Sequence, residues 1–379
     1  MYSARVAWLL PSAFFYWHPP LSHFAKHFPE TKVFTGRWRG YAKGFEDAFA
    51  VDIVGDRKVY NLIPAETGYG FSFTYVSLNI VNKLIRFRPD VVFTNSFGVW
   101  TVVALFLKPF MKWRVVLAYE GSSPSVDFRD SPRRLAIRRF MTSQADALIS
   151  NSHEGKDYLI QCLGVDEKQM FVQPYEVPAP EAMSANPVAV TAPDVVWQPP
   201  IFLYVGQIIP RKGLNLLLDA CKVLKQRGCN HFTLVIVGDG KQRSELETYA
   251  EKLDIAAHIQ WTGRVDYACL GSYFAAANTF ILPTLEDTWG MVVLEAMTLG
   301  KSVICSKFAG ASELIVEGEN GYVVNPQNAE NLATAMQHFV EDPDLGDRLG
   351  KGAAHYITQH SPEAAGEFLT KIADFVLQR

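Results

Sequence analysis

Short runs of apolar and β-branched residues recur along this chain, with intervals between them long enough for a helix. In the first half they are RVAWLL, KVFTG, VDIVG, DVVFTN, RVVLAYE and ALISNS. In the second half they are IFLYVGQI, FTLVIVGDG, HIQWTG, TFILPT, SVICS and GYVV. A strand with one wet face alternates apolar and polar residues, whereas a strand covered on both faces does not. Continuous runs separated by helical patterns therefore predict parallel sheets sandwiched between helices, an α/β class with a doubly wound sheet in each half. The length of 379 residues suits two such domains. Between the halves, Pro174 to Pro200 is rich in Pro and Ala and has no period, so it reads as a linker. The expected division is a first domain at 1–178, a linker at 179–200 and a second domain at 201–358. A terminal helix follows at 359–379, with a crossing back to the first domain as one course open to it. Ser361-Pro362-Glu363 gives that helix a Ser cap and a Pro in the first turn.

The net charge of −3 argues against a dedicated nucleic-acid binder. Its distribution is uneven. Residues 1–178 carry 21 Lys and Arg against 16 Asp and Glu, and the remainder carries 15 against 23. A basic half attracts phosphates or anionic lipid, unless the two surfaces are simply ordinary. Five cysteines without a C-x-x-C motif signal neither a disulfide framework nor a zinc site, so a reducing, cytoplasmic compartment fits best. The start of the chain resembles a signal peptide, but it lacks a small-residue cleavage site and is broken by Pro11. A buried first strand, Ala4 to Leu10, is the better reading. No run approaches the roughly 20 apolar residues of a membrane span.

Ligands of open α/β sheets bind beyond the carboxyl ends of the strands, so the loops that follow strands hold the chemistry. After TFILP, Gly290 opens a helix that Gly300 closes. The free amides of Gly290, Met291 and Val292 would then form an anion site suited to a phosphate. Glu295 is four residues after Met291 and shares its face. It is placed to accept from ribose hydroxyls beside the phosphate, unless a nearby cation pairs with it. Glu286 and Asp287 precede the helix, as acceptors for a second polyol or as charges favouring the helix dipole. Earlier, LYVGQIIPRKGLNLLLDA places Arg211 and Lys212 before a helix, where cations oppose the dipole. They fit there if an anion lies between, and are otherwise solvated surface charges. VIVGDGKQRSEL adds a weaker strand-to-glycine loop at Gly238.

In order, VGQIIPRKG, VIVGDGKQRSELE, IQWTGRV, DTWGMVVLEAMTLGKSVI and GASELIVEGENGYVV resemble the nucleotide-binding domain of retaining glycosyltransferase family 4, the glycosyl transferases group 1. The resemblance covers most of residues 201–325 and implies the GT-B fold: two doubly wound Rossmann-like domains facing across a cleft. It implies a nucleotide-diphosphate sugar as co-substrate, with no other cofactor, and retention of anomeric configuration. The family's pair of acids eight residues apart falls on Asp287 and Glu295, with Asp where Glu is usual and Glu286 beside it. By that resemblance Glu295 binds ribose and Asp287 the donor hexose. Thr288, Trp289, Gly290, Met291 and Val292 hold sugar and phosphates through the backbone. Arg211 and Lys212 neutralise the diphosphate, Gly206 and Gln207 line its loop, and Arg264 and Val265 flank the base. Gln207 stands where the family often has Arg. In the first half, Ser143 to Val172 resembles the end of the acceptor domain. The first loop, LPSAFFYWHPPLSH, lacks the common Gly-Gly pair. A His frequent after the fifth strand is replaced by Tyr119-Glu120, which makes Glu120 the candidate there for touching the sugar.

Together these residues predict metal-independent hexosyl transfer, with charge on the departing phosphate stabilised by Arg211, Lys212 and the helix start. The only D-x-D, Asp342-Pro343-Asp344, reads as a turn between helices. Acceptors left open are a saccharide, a lipid-linked saccharide or glycolipid, and a small molecule. Leu107–Arg114 and Ser131–Ser143 mix cations with apolar residues. They read either as a peripheral contact with the inner membrane face, through Arg134 and Arg138, or as packed surface helices. Rival readings are a GT-B sugar-nucleotide epimerase and a non-catalytic sugar-nucleotide binder. A dinucleotide oxidoreductase is disfavoured by the missing G-x-G-x-x-G.

Overall fold

The computed structural model describes residues 4–63, 68–178, 180–190 and 196–379. The chain sorts into two compact units. The first comprises Met1–Pro64, Gly70–Ala179 and His360–Arg379, and the second Ala65–Tyr69 and Pro180–Gln359.

In the first unit the strands are β1 (Val6–Leu10), β2 (Thr31–Thr35), β3 (Ala50–Ile53), β4 (Lys58–Ile63), β5 (Phe71–Tyr75), β6 (Val91–Asn95), β7 (Arg114–Tyr119), β8 (Ala147–Ser150) and β9 (Met170–Val172). Seven of them form one parallel sheet in the order β3-β2-β1-β6-β7-β8-β9. All six runs read from the sequence of this half lie in it. β1 is central and wholly buried, as the strand reading of the N-terminal run requires. Alternate residues of its strands feed different cores. Val6, Trp8, Leu10 and Phe93 point to one face, and Ala7, Leu9, Phe34 and Val92 to the other. This two-sided burial is the physical reason the runs are continuous. β4 and β5 pair as an antiparallel hairpin that the reading of the sequence did not anticipate. The helix Pro362–Leu377 supplies Leu369, Ile372, Ala373 and Val376 to the core that holds Trp8, and packs on the helix His18–His27. Its Ser361 hydroxyl caps it by accepting from the Ala364 amide at 3.2 Å.

The second unit contains β10 (Ile201–Val205), β11 (Thr233–Val237), β12 (Ile259–Gly263), β13 (Thr279–Leu282), β14 (Ser302–Ser306) and β15 (Gly321–Val324). They form a parallel sheet in the order β12-β11-β10-β13-β14-β15. In rank along the unit that is 3-2-1-4-5-6, the order of a dinucleotide-binding sheet. All six runs of the second half are these six strands. Phe202, Tyr204, Leu234 and Ile236 face one core, and Leu203, Val235, Phe280 and Leu282 the other. Part of the stretch read as a linker is seated here. Pro180–Met183 is a helical turn, and the amides of Asn186 and Val188 donate to Ala268 O and Ser272 Oγ. Asp342 lies between the helices Ala329–Glu341 and Leu345–Ile357 and pairs with Arg348 at 2.7 Å, which makes the D-x-D a connecting turn.

Candidate active site

The strand order of the second sheet reverses between β10 and β13, which opens a crevice at their carboxyl ends. Two loops meet there. The loop after β10 closes with the turn Pro210–Lys212 before the helix Leu214–Gln226. The Leu285 amide and the Thr284 hydroxyl, both after β13, donate to the Arg211 carbonyl at 2.8 and 3.0 Å. In return the Arg211 guanidinium donates to the Glu286 carbonyl at 2.6 Å. This stitching turns both cations toward Asp287. Lys212 Nζ forms an ion pair with Asp287 Oδ2, and Arg211 lies 3.8 Å from the same oxygen.

Burial is the largest single influence on Asp287 and pushes its carboxyl up. Lys212, Arg211 and hydrogen bonds from Lys212 and the Trp289 amide outweigh it and hold the group below the usual carboxylate range. Asp287 is joined to both Lys212 and Arg211, and thus supplies both cations with a counter-charge from within the chain. Glu286 is also buried, and its carbonyl serves the loop.

The loop from Asp287 to Gly290 is fixed from its other side by the exit of β14. The Asp287 amide donates to Phe308 O at 3.0 Å, Gly310 N–H to Asp287 O at 3.2 Å and Ala311 N–H to Trp289 O at 2.7 Å. Gly290 then takes φ +96°, a left-handed value that favours glycine, and starts the helix Met291–Thr298. The first bond of that helix is Val293 N–H to Gly290 O, so the amides of Gly290, Met291 and Val292 lie outside its ladder. The other two expected backbone donors are engaged: Trp289 N–H with Asp287, and Thr288 N–H with the Tyr69 hydroxyl at 3.3 Å. The Trp289 indole is core, 3% exposed.

Glu295 is buried on the same helix, and burial raises its carboxyl to about 7. Its hydrogen-bond partner is Tyr267, from the loop after β12. Among the described residues no ion pair engages it. The remaining expected residues fall on the same sheet edge. Gly206 and Gln207 follow β10, Gly238 follows β11, and Arg264 and Val265 follow β12. A Cβ on Gly238 would strike the Gly206 carbonyl, so this glycine is required by backbone contact alone. Gln207 and Arg264 are exposed, and Val265 is half-buried against the core.

Two residues at this edge were not found by reading the sequence. One is Tyr267. The other is Tyr69, which groups with the second unit. Its hydroxyl approaches Asp287 Oδ1 at 3.4 Å, and its ring lies 3.9 Å from the Arg211 guanidinium carbon. Residue separations above 200 hide such a contact from motif reading. Glu120 belongs to the first unit, at the carboxyl end of β7, where Asn95 donates to it.

With this geometry described, comparison with known proteins assigns the chain. Two family models match: Glycosyltransferase Family 4 over residues 22–175, and Glycosyl transferases group 1 over residues 194–356. The chain belongs to glycosyltransferase family 4. Among the relatives of this family 4 chain, sulfoquinovosyl transferase SQD2 of Arabidopsis thaliana is 25% identical over 339 residues, covering 84% of this chain and 62% of the relative. The chain therefore spans less than two thirds of that relative's length. Sucrose-phosphate synthase from Thermosynechococcus elongatus shares the fold at a TM-score of 0.71 and 19% identity, covering 98% of both chains. The Anabaena protein HepE in complex with UDP-glucose does so at 0.67 and 18%, covering 99% of this chain and 100% of its own. The fold is GT-B, with a Rossmann-like sheet in each unit.

Of the two readings of Ser131–Ser143, the arginines fit the packed surface helix. Arg138 is turned inward: it donates to Asp127 O and Val126 O at 2.9 Å and to the Tyr158 hydroxyl at 2.8 Å, and lies over Phe97. Arg134 packs 3.8 Å over the Phe128 ring. An Arg head satisfied by carbonyls and rings is a structural tie within the first unit. What the two contacting helices, Val99–Met111 and Pro132–Gln144, expose instead is apolar: Phe106, Phe110, Ile137 and Phe140 are each more than half exposed.

Proposed function

We propose that this chain transfers a hexose from a nucleotide-diphosphate sugar to a saccharide, lipid-linked saccharide or small-molecule acceptor, retaining the anomeric configuration and using no metal ion. The observation that carries this reading is the Lys212–Asp287–Arg211 cluster at the switch point of the second sheet, beside the amides of Gly290, Met291 and Val292 at the start of Met291–Thr298. Asp287 keeps the two cations together before any donor arrives. A diphosphate seated between them and the helix start meets charge that needs no reorganisation as the glycosidic bond breaks. Glu295, behind the same helix, accepts from ribose hydroxyls. The hexose hydroxyls are gripped by Asp287 or by Glu286 next to it. The UDP-glucose complex of HepE, a protein of the same fold, supports a donor of this class.

Membrane contact, on this reading, is made by the exposed phenylalanines. Neither Val99–Met111 nor Pro132–Gln144 contains an acid, and Lys112, Arg133 and Arg139 flank the apolar stripe. A basic and apolar surface of this kind suits anionic lipid, and on this reading the chain sits peripherally on the cytoplasmic face of a membrane and takes a lipid-linked acceptor.

The test is a panel of sugar nucleotides scored by thermal shift and by nucleotide release on addition of acceptor. Glu295→Ala is expected to abolish the shift, and an unchanged shift removes the assignment of this site. Asp287→Asn and Glu286→Gln in the same panel decide which acid holds the hexose.

A further inference from the structure

Four consecutive neighbours of the first sheet, β6, β7, β8 and β9, each send a polar side chain to its carboxyl edge. Asn95 ends β6, Glu120 follows β7, Asn151 follows β8, and Glu176 lies just past β9. Their hydrogen bonds join them into one cluster. The Asn151 amide nitrogen donates to the Glu120 carbonyl at 3.0 Å and to Glu176 Oε2 at 2.9 Å, while its oxygen accepts from Tyr175 N–H at 3.0 Å. Asn151 is thereby fixed, with both ends of its amide used. The Asn95 amide donates to Glu120 Oε1. Glu176 is 2% exposed, and its second oxygen, Oε1, is buried and meets no N–H donor. Besides Asn151, the side-chain hydrogen-bond partner of Glu176 is the Glu120 carboxyl.

Two carboxylates cannot both stay ionised in contact, and neither can a buried oxygen be left without a partner at small cost. One proton between them removes both costs. We propose that Glu176 is a positioning residue whose neutral carboxyl donates to Glu120, so that half-buried Glu120 is held as a carboxylate acceptor for a sugar hydroxyl. The part played by the sugar rests on the glycosyltransfer reading above; the proton-sharing pair does not. Each carboxyl accepts from one amide, Glu120 from Asn95 and Glu176 from Asn151, but Glu176 is the deeper of the two and its Oε1 is left without a donor, so the proton belongs to it. Burial raises both carboxyls, Glu176 well above the ordinary range, and each also feels the other. The titratable groups around them are Tyr175, which packs on Trp17, and Tyr16 beyond it. Among the described residues, no lysine, arginine or histidine acts on either carboxyl.

Two experiments test the pair. Infrared difference titration of the ligand-free chain is expected to show a protonated carboxyl that outlasts Glu295, which titrates near 7, and that disappears in Glu176→Gln. Persistence of this signal in E176Q overturns the proposal. Nucleotide release from UDP-glucose is expected to fall at alkaline pH in the parent chain, where Glu176 ionises and repels Glu120. Glu176→Ala is expected to lose about 10- to 100-fold at neutral pH, the worth of a hydrogen bond to a charged group. Glu176→Gln, which keeps an N–H donor toward Glu120, is expected to recover most of that and to lose the alkaline fall. Loss in E176Q equal to that in E176A, or an alkaline fall that survives in E176Q, also overturns the proposal. Absence of release from every member of the sugar-nucleotide panel, with the infrared signal behaving as stated, overturns the glycosyltransfer reading and leaves the pair standing.

Discussion

Glu295 occupies a helix whose neighbouring positions, Val293, Leu294, Ala296 and Met297, are apolar and buried. Its carboxyl is held at about 7 against an ordinary 4.5. The sign of the consequence follows from proton counting. Below about pH 4.5 the folded and unfolded chains are both protonated there, and no cost arises. As the pH rises toward 7, the unfolded chain gains a hydrated carboxylate that the folded chain resists forming, so stability falls by up to about 3 kcal/mol. Glu295→Gln removes this loss. The gap in melting temperature between E295Q and the parent chain is therefore expected to widen from about pH 5 to about pH 8; a gap that stays constant would mean that Glu295 ionises freely in the folded state. Ribose hydroxyls favour the ionised form, so nucleotide binding should strengthen over the same range. Reading the sequence found this residue because one acid in an apolar helix is conspicuous. It did not find the Lys212–Asp287 pair, whose members are 75 residues apart, nor Glu176, whose partner comes from another strand end. Each is a tertiary contact with no trace in local spacing.

Strands and helices were unequally legible. Parallel strands buried on both faces leave continuous apolar runs, and every run identified proved to be a strand. The β4–β5 hairpin was missed because its residues, with Val59, Tyr60 and Tyr75 exposed, carry no core pattern. For the helix Pro132–Gln144 the spacing left two readings open, a lipid contact and a packed surface helix, and Arg134 and Arg138 are committed to Phe128 and to backbone carbonyls. The exposed stripe predicts a different dependence. Phe106→Ser together with Phe110→Ser is expected to weaken binding to vesicles containing anionic lipid by about tenfold or more, given the cost of losing buried aromatic area. Sedimentation with liposomes reads this directly. Arg138→Ala should instead lower the melting temperature, because it leaves carbonyls unpartnered. Vesicle binding that survives the double substitution excludes this surface. Among the described residues no helix is long and apolar enough to cross a membrane.

At the scale of the whole molecule, each sheet owns its cores, and the first unit is completed by residues that follow the second. Removing Pro362–Arg379 takes Leu369, Ile372 and Val376 from the core that holds Trp8 and Phe24. Each such side chain contributes about 1.5–3 kcal/mol by burial, so the loss rivals the whole margin of about 5–15 kcal/mol of a typical domain. The truncated chain is expected to lose the first unit's cooperative melting transition while the second unit keeps its own, as two-phase calorimetry would show. A single unchanged transition would mean that the helix is dispensable.

That same helix sets an order of events during synthesis. The first unit leaves the ribosome with its sheet uncapped and must wait until the second unit has been made before its last helix arrives. At cellular elongation rates the wait is on the order of 10 s. The unit synthesised second is thus the first able to finish folding, and the exposed face of the opening sheet is the surface a chaperone would have to shield in the interval.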